Sequence, residues 1–134
     1  MSARAALCSA VILLSLPARA ETPAQWIELG ARVHGAFGAF IPIGIRIGLD
    51  AKERIKAEAR GLAVTYCAGE KAPAGLLAVV AVRNRKTGEG LRYTVADAWL
   101  PKVLEWNKTF DPAGRFDAAM KADGLFEVAP VSAP

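Results

Sequence analysis

Two side chains hold most of the chemistry that this sequence could perform. His34 is the only histidine, and Cys67 is the only cysteine after residue 20. Imidazole nitrogen and thiolate sulfur are good donors to zinc and iron. Structural zinc takes four protein donors and catalytic zinc at least three, so His34 and Cys67 together make half a site. Glu70 could add a carboxylate oxygen, and a site shared across a homodimer would double the donor set. The same pair could instead work as a thiol and its base. Each residue also has a plain structural reading. Cys67 can be a small buried hydrophobe, and His34 a helix-end side chain bonded to backbone or facing water. The serines, threonines and acids fall into no hydrolase pattern, and no G-x-x-x-x-G-K loop is present.

The elements that must position these residues follow from periodicity and punctuation. Thr22-Pro23-Ala24-Gln25 predicts a helix start: Thr22 caps, Pro23 suits the first helical position, and Gln25 reaches back to the cap. Trp26, Ile27, Leu29 and Val33 give that helix an apolar face, and it ends near His34-Gly35. Residues 36–40 form a loop whose two phenylalanines predict that it tucks inward. A second helix is predicted from Pro42 to Arg60, closed by Gly61. Ile41, Ile43, Ile45, Ile47 and Leu49 make its first half apolar nearly all round, which marks it as a long central helix. Gly44 and Gly48 lie four apart, each costing about 1 kcal/mol of helix propensity relative to alanine. Close approach of another element is the expected reason. Arg46, set among isoleucines, needs a partner if it is buried, or else snorkels to the surface.

Strands are predicted at Leu62 to Cys67, Leu76 to Arg83 and Leu91 to Val95, the last two joined as a hairpin across the Lys86–Gly90 turn. Asp97 to about Asn107 reads as a short helix, with Pro101 tolerable only in its first turn. Asp111-Pro112 starts a further helix closed by Gly124. Leu125 to Val128 adds an edge strand. The fold class expected is α+β, a small antiparallel sheet packed on a long central helix with short C-terminal helices.

The run from His34 to Gly48, H-G-A-F-G-A-F-I-P-I-G-I-R-I-G, resembles the opening motif of the formylmethanofuran dehydrogenase E-subunit family. In that family a His-Gly-His-x-Cys-Pro loop supplies metal ligands and a Gly-x-Arg-x-Gly helix follows. His34-Gly35 and Gly44-x-Arg46-x-Gly48 match it, whereas Ala36 and Gly38 stand where the second histidine and the cysteine would be. A second block, from Arg92-Tyr93-Thr94-Val95 through Glu105-Trp106-Asn107 to Gly124-Leu125-Phe126-Glu127-Val128, is similar to C-terminal segments of exported bacterial members. Between the blocks, Lys71-Ala72-Pro73-Ala74-Gly75 runs straight into Leu76, and a span of roughly 20 residues expected in the family is missing.

The resemblance implies a retained scaffold with a degenerate metal site. It points to a non-catalytic domain that binds a small ligand, a metal ion or a protein partner through the loops at residues 34–40 and 70–75. The ligand-binding candidates are His34, Gly35, Phe37, Arg46 and Lys71. The metal candidates are His34 and Cys67, with zinc or iron as the ion. The competing expectation is a metal- or thiol-dependent enzyme that uses His34 and Cys67, within one chain or across a homodimer.

Residues 1–20 read as a signal peptide: Arg4, an apolar run from Ala5 to Leu16, and Ala18-Arg19-Ala20 before the cleavage point. The run is too short to span a bilayer, which takes about 20 residues, and no second span follows. A secreted or periplasmic product is expected, with one domain over residues 21–128 and a flexible tail at 129–134. Taking 20 residues from 134 leaves 114. The 17 basic groups fall to 15 on losing Arg4 and Arg19, against 13 acidic ones, so the formal charge drops from +4 to +2. With no Lys/Arg run to track a phosphate backbone, nucleic acid is excluded as a partner.

Overall fold

The computed structural model describes residues 20–58, 60–66 and 79–131. The candidates Cys67 and Lys71, together with Glu70 and the signal segment, lie outside the described residues. The chain runs α1 (Pro23–His34), α2 (Phe40–Arg54), β1 (Leu62–Tyr66), β2 (Val79–Asn84), β3 (Gly90–Val95), a 3-10 turn at Asp97–Trp99, α3 (Leu100–Thr109), α4 (Pro112–Lys121) and β4 (Phe126–Val131). The fold is α+β, and the four strands form one antiparallel sheet in the order β1-β2-β3-β4. Among the described residues no helix is long and apolar enough to cross a membrane.

Local chemistry sets most of the boundaries. Thr22 and Gln25 form the reciprocal capping box at the start of α1, with Gln25 Oε1 accepting from the Thr22 amide at 2.8 Å. Asp111 caps α4 by accepting from the Gly114 amide at 2.7 Å. Pro101 sits in the first turn of α3, where its missing N–H is harmless.

Helix α2 departs from expectation. It has 15 residues and stops at Arg54, six residues short of Arg60, so the long central helix is a medium one. The Ala57 amide donates to the Lys52 carbonyl at 3.0 Å and the Lys56 amide to the Glu53 carbonyl at 3.4 Å. That pair of bonds is the Schellman stop, and it places Lys56 in the left-handed region at φ 46°. Glycine usually fills that place, which is why the visible Gly61 suggests a boundary too far along the chain. Tertiary pull supports the early stop. The Ile55 carbonyl accepts from the buried Asn84 amide at 2.9 Å, and Ile55 and Ala57 both turn into the core.

One sheet face carries the core. Register places Val80 opposite Tyr93, Val82 opposite Leu91, and Tyr93 opposite Val128. Their side chains share a face with Val95 and meet Ile43, Ile47 and Ala51 of α2, Val103 and Trp106 of α3, and Ala119 of α4. The opposite face carries Thr65, Arg83, Arg92 and Glu127, the alternation of a sheet covered on one side only. Two details differ from the sequence reading. β4 continues to Val131, because residues 129–131 pair with Arg92, Leu91 and Gly90. Helix α1 buries none of its residues fully, and Leu29 and Val33 of its expected apolar face are exposed.

Candidate functional site

The loop after α1 is built inward. Gly35 takes the left-handed cap of α1 at φ +87°, with its amide on the Ala31 carbonyl at 2.8 Å. Phe37 and Ala39 are buried. The Phe37 ring lies against Gly30, where an added methyl would come within 2.8 Å of its Cε2 atom; glycine there makes room for the ring. The far wall is polar. The Asn107 side-chain oxygen accepts from the Ala39 amide at 2.9 Å, and Arg115 Nη1 donates to the Phe37 carbonyl at 2.8 Å. His34, Gly35 and Ala36 are exposed and Gly38 is half-buried. The His34 side chain has no hydrogen-bond partner among the described residues.

Arg46 is half-buried and engaged within the fold. Its Nη1 donates to the carbonyls of Ala119 and Ala122, both at 2.7 Å, and its guanidinium lies 5.1 Å from the centre of the Phe126 ring. Those carbonyls end α4, where backbone acceptors lack helical partners and the helix dipole favours a cation. The ligand-binding candidates thus separate by role: Phe37 packs, Arg46 closes a helix, Gly35 caps one, and His34 faces water.

Among the described residues no element approaches Gly44 or Gly48 closely. A methyl built on either meets nothing within 4 Å among the described residues. They border an apolar hollow of about 140 Å³, whose other walls are Ile47, Val64, Tyr66, Val80 and Val82. On its floor Val64 stands opposite Val82 and Tyr66 opposite Val80; Val80 and Val82 are buried, whereas Val64 and Tyr66 are largely exposed.

A hydrogen-bonded chain ties the same helix to the sheet. The Tyr93 hydroxyl donates to Asp50 Oδ2 at 2.7 Å, and Arg54 Nε donates to the same oxygen at 2.7 Å. Burial, and then the bond to the Asp50 carboxylate, raise the Tyr93 phenol well above its ordinary value. An acid raised in the folded state keeps its full contribution below its unfolded pKa, about 10 for tyrosine. That contribution is lost as pH climbs from there toward the folded value, because the unfolded chain gives up its proton first. Wild type is therefore expected to lose stability above pH ~10 more steeply than Tyr93→Phe. Urea midpoints measured across that range check this, and parallel profiles would refute it. At neutral pH Tyr93→Phe is expected to cost about 1 kcal/mol.

No sequence pattern assigns a role to Arg115, Asn107, Asn84 or Lys56, yet each fixes part of this architecture. The first three act on backbone groups distant in the chain, up to 78 residues for Arg115, and such partners leave no local motif. Lys56 has one signal, its position just beyond the last apolar residue of the helical pattern, Ile55. Among the described residues no three of His, Cys, Asp and Glu converge to hold a metal ion. Comparison with protein-family models, with curated proteins and with solved structures finds no match to this chain.

Proposed function

We propose that the protein is an exported, non-catalytic binding domain of the formylmethanofuran dehydrogenase E-subunit type, whose ligand is a small apolar molecule held in the hollow between α2 and the β1–β2 edge. The observation that carries this reading is the pair Gly44 and Gly48 in mid-helix, which border an apolar hollow and meet nothing within 4 Å among the described residues. Each costs the helix about 1 kcal/mol relative to alanine, and no packing among the described residues requires either. Space for a ligand explains the pair. Binding rather than catalysis is supported by the engagement of Phe37 and Arg46 inside the fold. Export rests on the signal-type first twenty residues.

The size of the hollow limits the ligand. At about 140 Å³ it matches a single ring or a short branched chain, since apolar cavities of about 150 Å³ take up benzene. Toluene is a suitable probe. It is expected to shift the methyl resonances of Ile47, Val80 and Val82 saturably. Gly48→Leu should abolish those shifts, and Gly48→Ala should raise the unfolding free energy by about 0.5–1 kcal/mol. Absence of toluene-dependent shifts at these methyls, or a destabilised Gly48→Ala, would overturn the reading.

A further inference from the structure

On another part of the molecule, the turn after α2 faces the β2–β3 hairpin across a cleft of about 310 Å³. Among the described residues Lys56, Arg60, Arg85 and Lys86 line it, with Glu58 as the one acid. We propose that this cleft binds a phosphate-type dianion, the phosphomonoester group of a small molecule or of a lipid headgroup. Three observations support the proposal.

The first is charge. Four cations against one carboxylate leave the cleft at a formal +3, and none of the four is in an ion pair among the described residues. Elsewhere Arg54, Lys108 and Lys121 each pair with a nearby acid. Like charges gathered around a cleft repel one another and raise the local concentration of anions. A carboxylate would answer one of these cations. A dianion with three acceptor oxygens can engage a guanidinium fork and an ammonium together.

The second is strain. Lys56 and Arg60 both have left-handed backbone, at φ 46° and φ 62°, where a side chain costs about 1 kcal/mol or more. Glycine would be easier at either position. Long cations are kept in strained backbone on the side of the turn that faces the cleft, and such strain persists where surrounding structure enforces it.

The third is rigidity. Asn84, buried beneath the cleft, ties both walls together. Its Nδ2 donates to the Ile55 carbonyl at 2.9 Å, and its Oδ1 accepts from the amides of Lys86 at 2.9 Å and Thr87 at 3.3 Å. The Arg85 amide adds a bond to the Gly61 carbonyl at 2.8 Å. The backbone of the cleft is preformed, so binding has only the exposed side chains to order.

The test is a titration of the ¹⁵N-labelled protein with inorganic phosphate at constant ionic strength, in wild type and in Lys56→Gly/Arg60→Gly. Saturable amide shifts confined to residues 56–61 and 84–88 are expected in wild type. The double variant should weaken binding by about tenfold or more. Its urea midpoint should not fall, because glycine relieves the strained backbone, and this separates lost binding from lost folding. Vesicles of phosphatidylcholine with and without phosphatidic acid distinguish the sources. Sedimentation with phosphatidic acid alone, lost in the variant, assigns a headgroup; phosphate binding without sedimentation assigns a soluble ester. Two results would overturn the proposal. One is no localised phosphate shift together with no difference between vesicle types. The other is unchanged affinity in the double variant.

Discussion

Arg46→Ala is expected to lower the unfolding free energy by about 3 kcal/mol, the largest single effect foreseen for a residue in the motif from His34 to Gly48. The guanidinium closes the C-terminal end of α4 through Ala119 and Ala122 and stacks on Phe126 of β4. It therefore joins α2, α4 and β4. Each charge-assisted bond contributes about 1.5 kcal/mol or more, and the stacked ring adds about 0.5–1 kcal/mol. Alanine would leave both carbonyls without their donor at the negative end of a helix dipole. Arg46→Lys keeps the charge but presents a tetrahedral ammonium in place of the planar fork, and should recover about half of the loss. Urea unfolding of the three proteins checks the order. A loss below about 1 kcal/mol for alanine would mean that water serves the two carbonyls equally well.

Much of this arrangement is legible in the residues, and the part that is not has a common cause. Two apolar runs on either side of the Lys86–Gly90 turn identify the hairpin, and Thr22 with Gln25 and Asp111 with Pro112 identify two helix starts, because those signals act within a few residues. The inward tuck of the loop at 36–40 follows from its phenylalanines, and Phe37 is buried. The end of α2 is misplaced by the sequence pattern because its stop is made by a lysine in a glycine's conformation and by an amide from Asn84, 29 residues away. The glycine pair is visible in the sequence, but among the described residues nothing makes the close approach it suggests. Spacing marks the helix face on which two glycines lie, and only the fold decides what that face meets. The basic cleft is out of reach for the same reason. Lys56 and Arg60 come from one turn, Arg85 and Lys86 from another, and only the fold brings them together.

Arg115→Ala is expected to cost about 3 kcal/mol and to act on a segment far from it in sequence. Arg115 donates from Nε to the Trp106 carbonyl at 3.2 Å, from Nη2 to the Asn107 carbonyl at 2.9 Å and from Nη1 to the Phe37 carbonyl at 2.8 Å. The first two close the end of α3, and the third fastens the loop that follows His34. Asn107 holds the same loop through the Ala39 amide, so the two residues form one clasp with two attachment points. Hydrogen exchange should show it directly, as lost protection at the Ala39 amide in Asn107→Ala and a smaller loss in Arg115→Ala. Because both act on the one short loop at 36–40, their effects on stability should not add. A double-mutant cycle is expected to give a coupling of about 1 kcal/mol. Independence within about 0.3 kcal/mol would show that the Phe37 ring alone holds the loop. The same variant distinguishes two ways of binding. A ligand seated over Gly44 and Gly48 contacts neither Arg115 nor the loop, so toluene shifts should survive Arg115→Ala once the protein is shown to be folded. A ligand held by the His34 loop would lose affinity as the loop loosens, and that result would move the binding site back to the motif that carries the family resemblance.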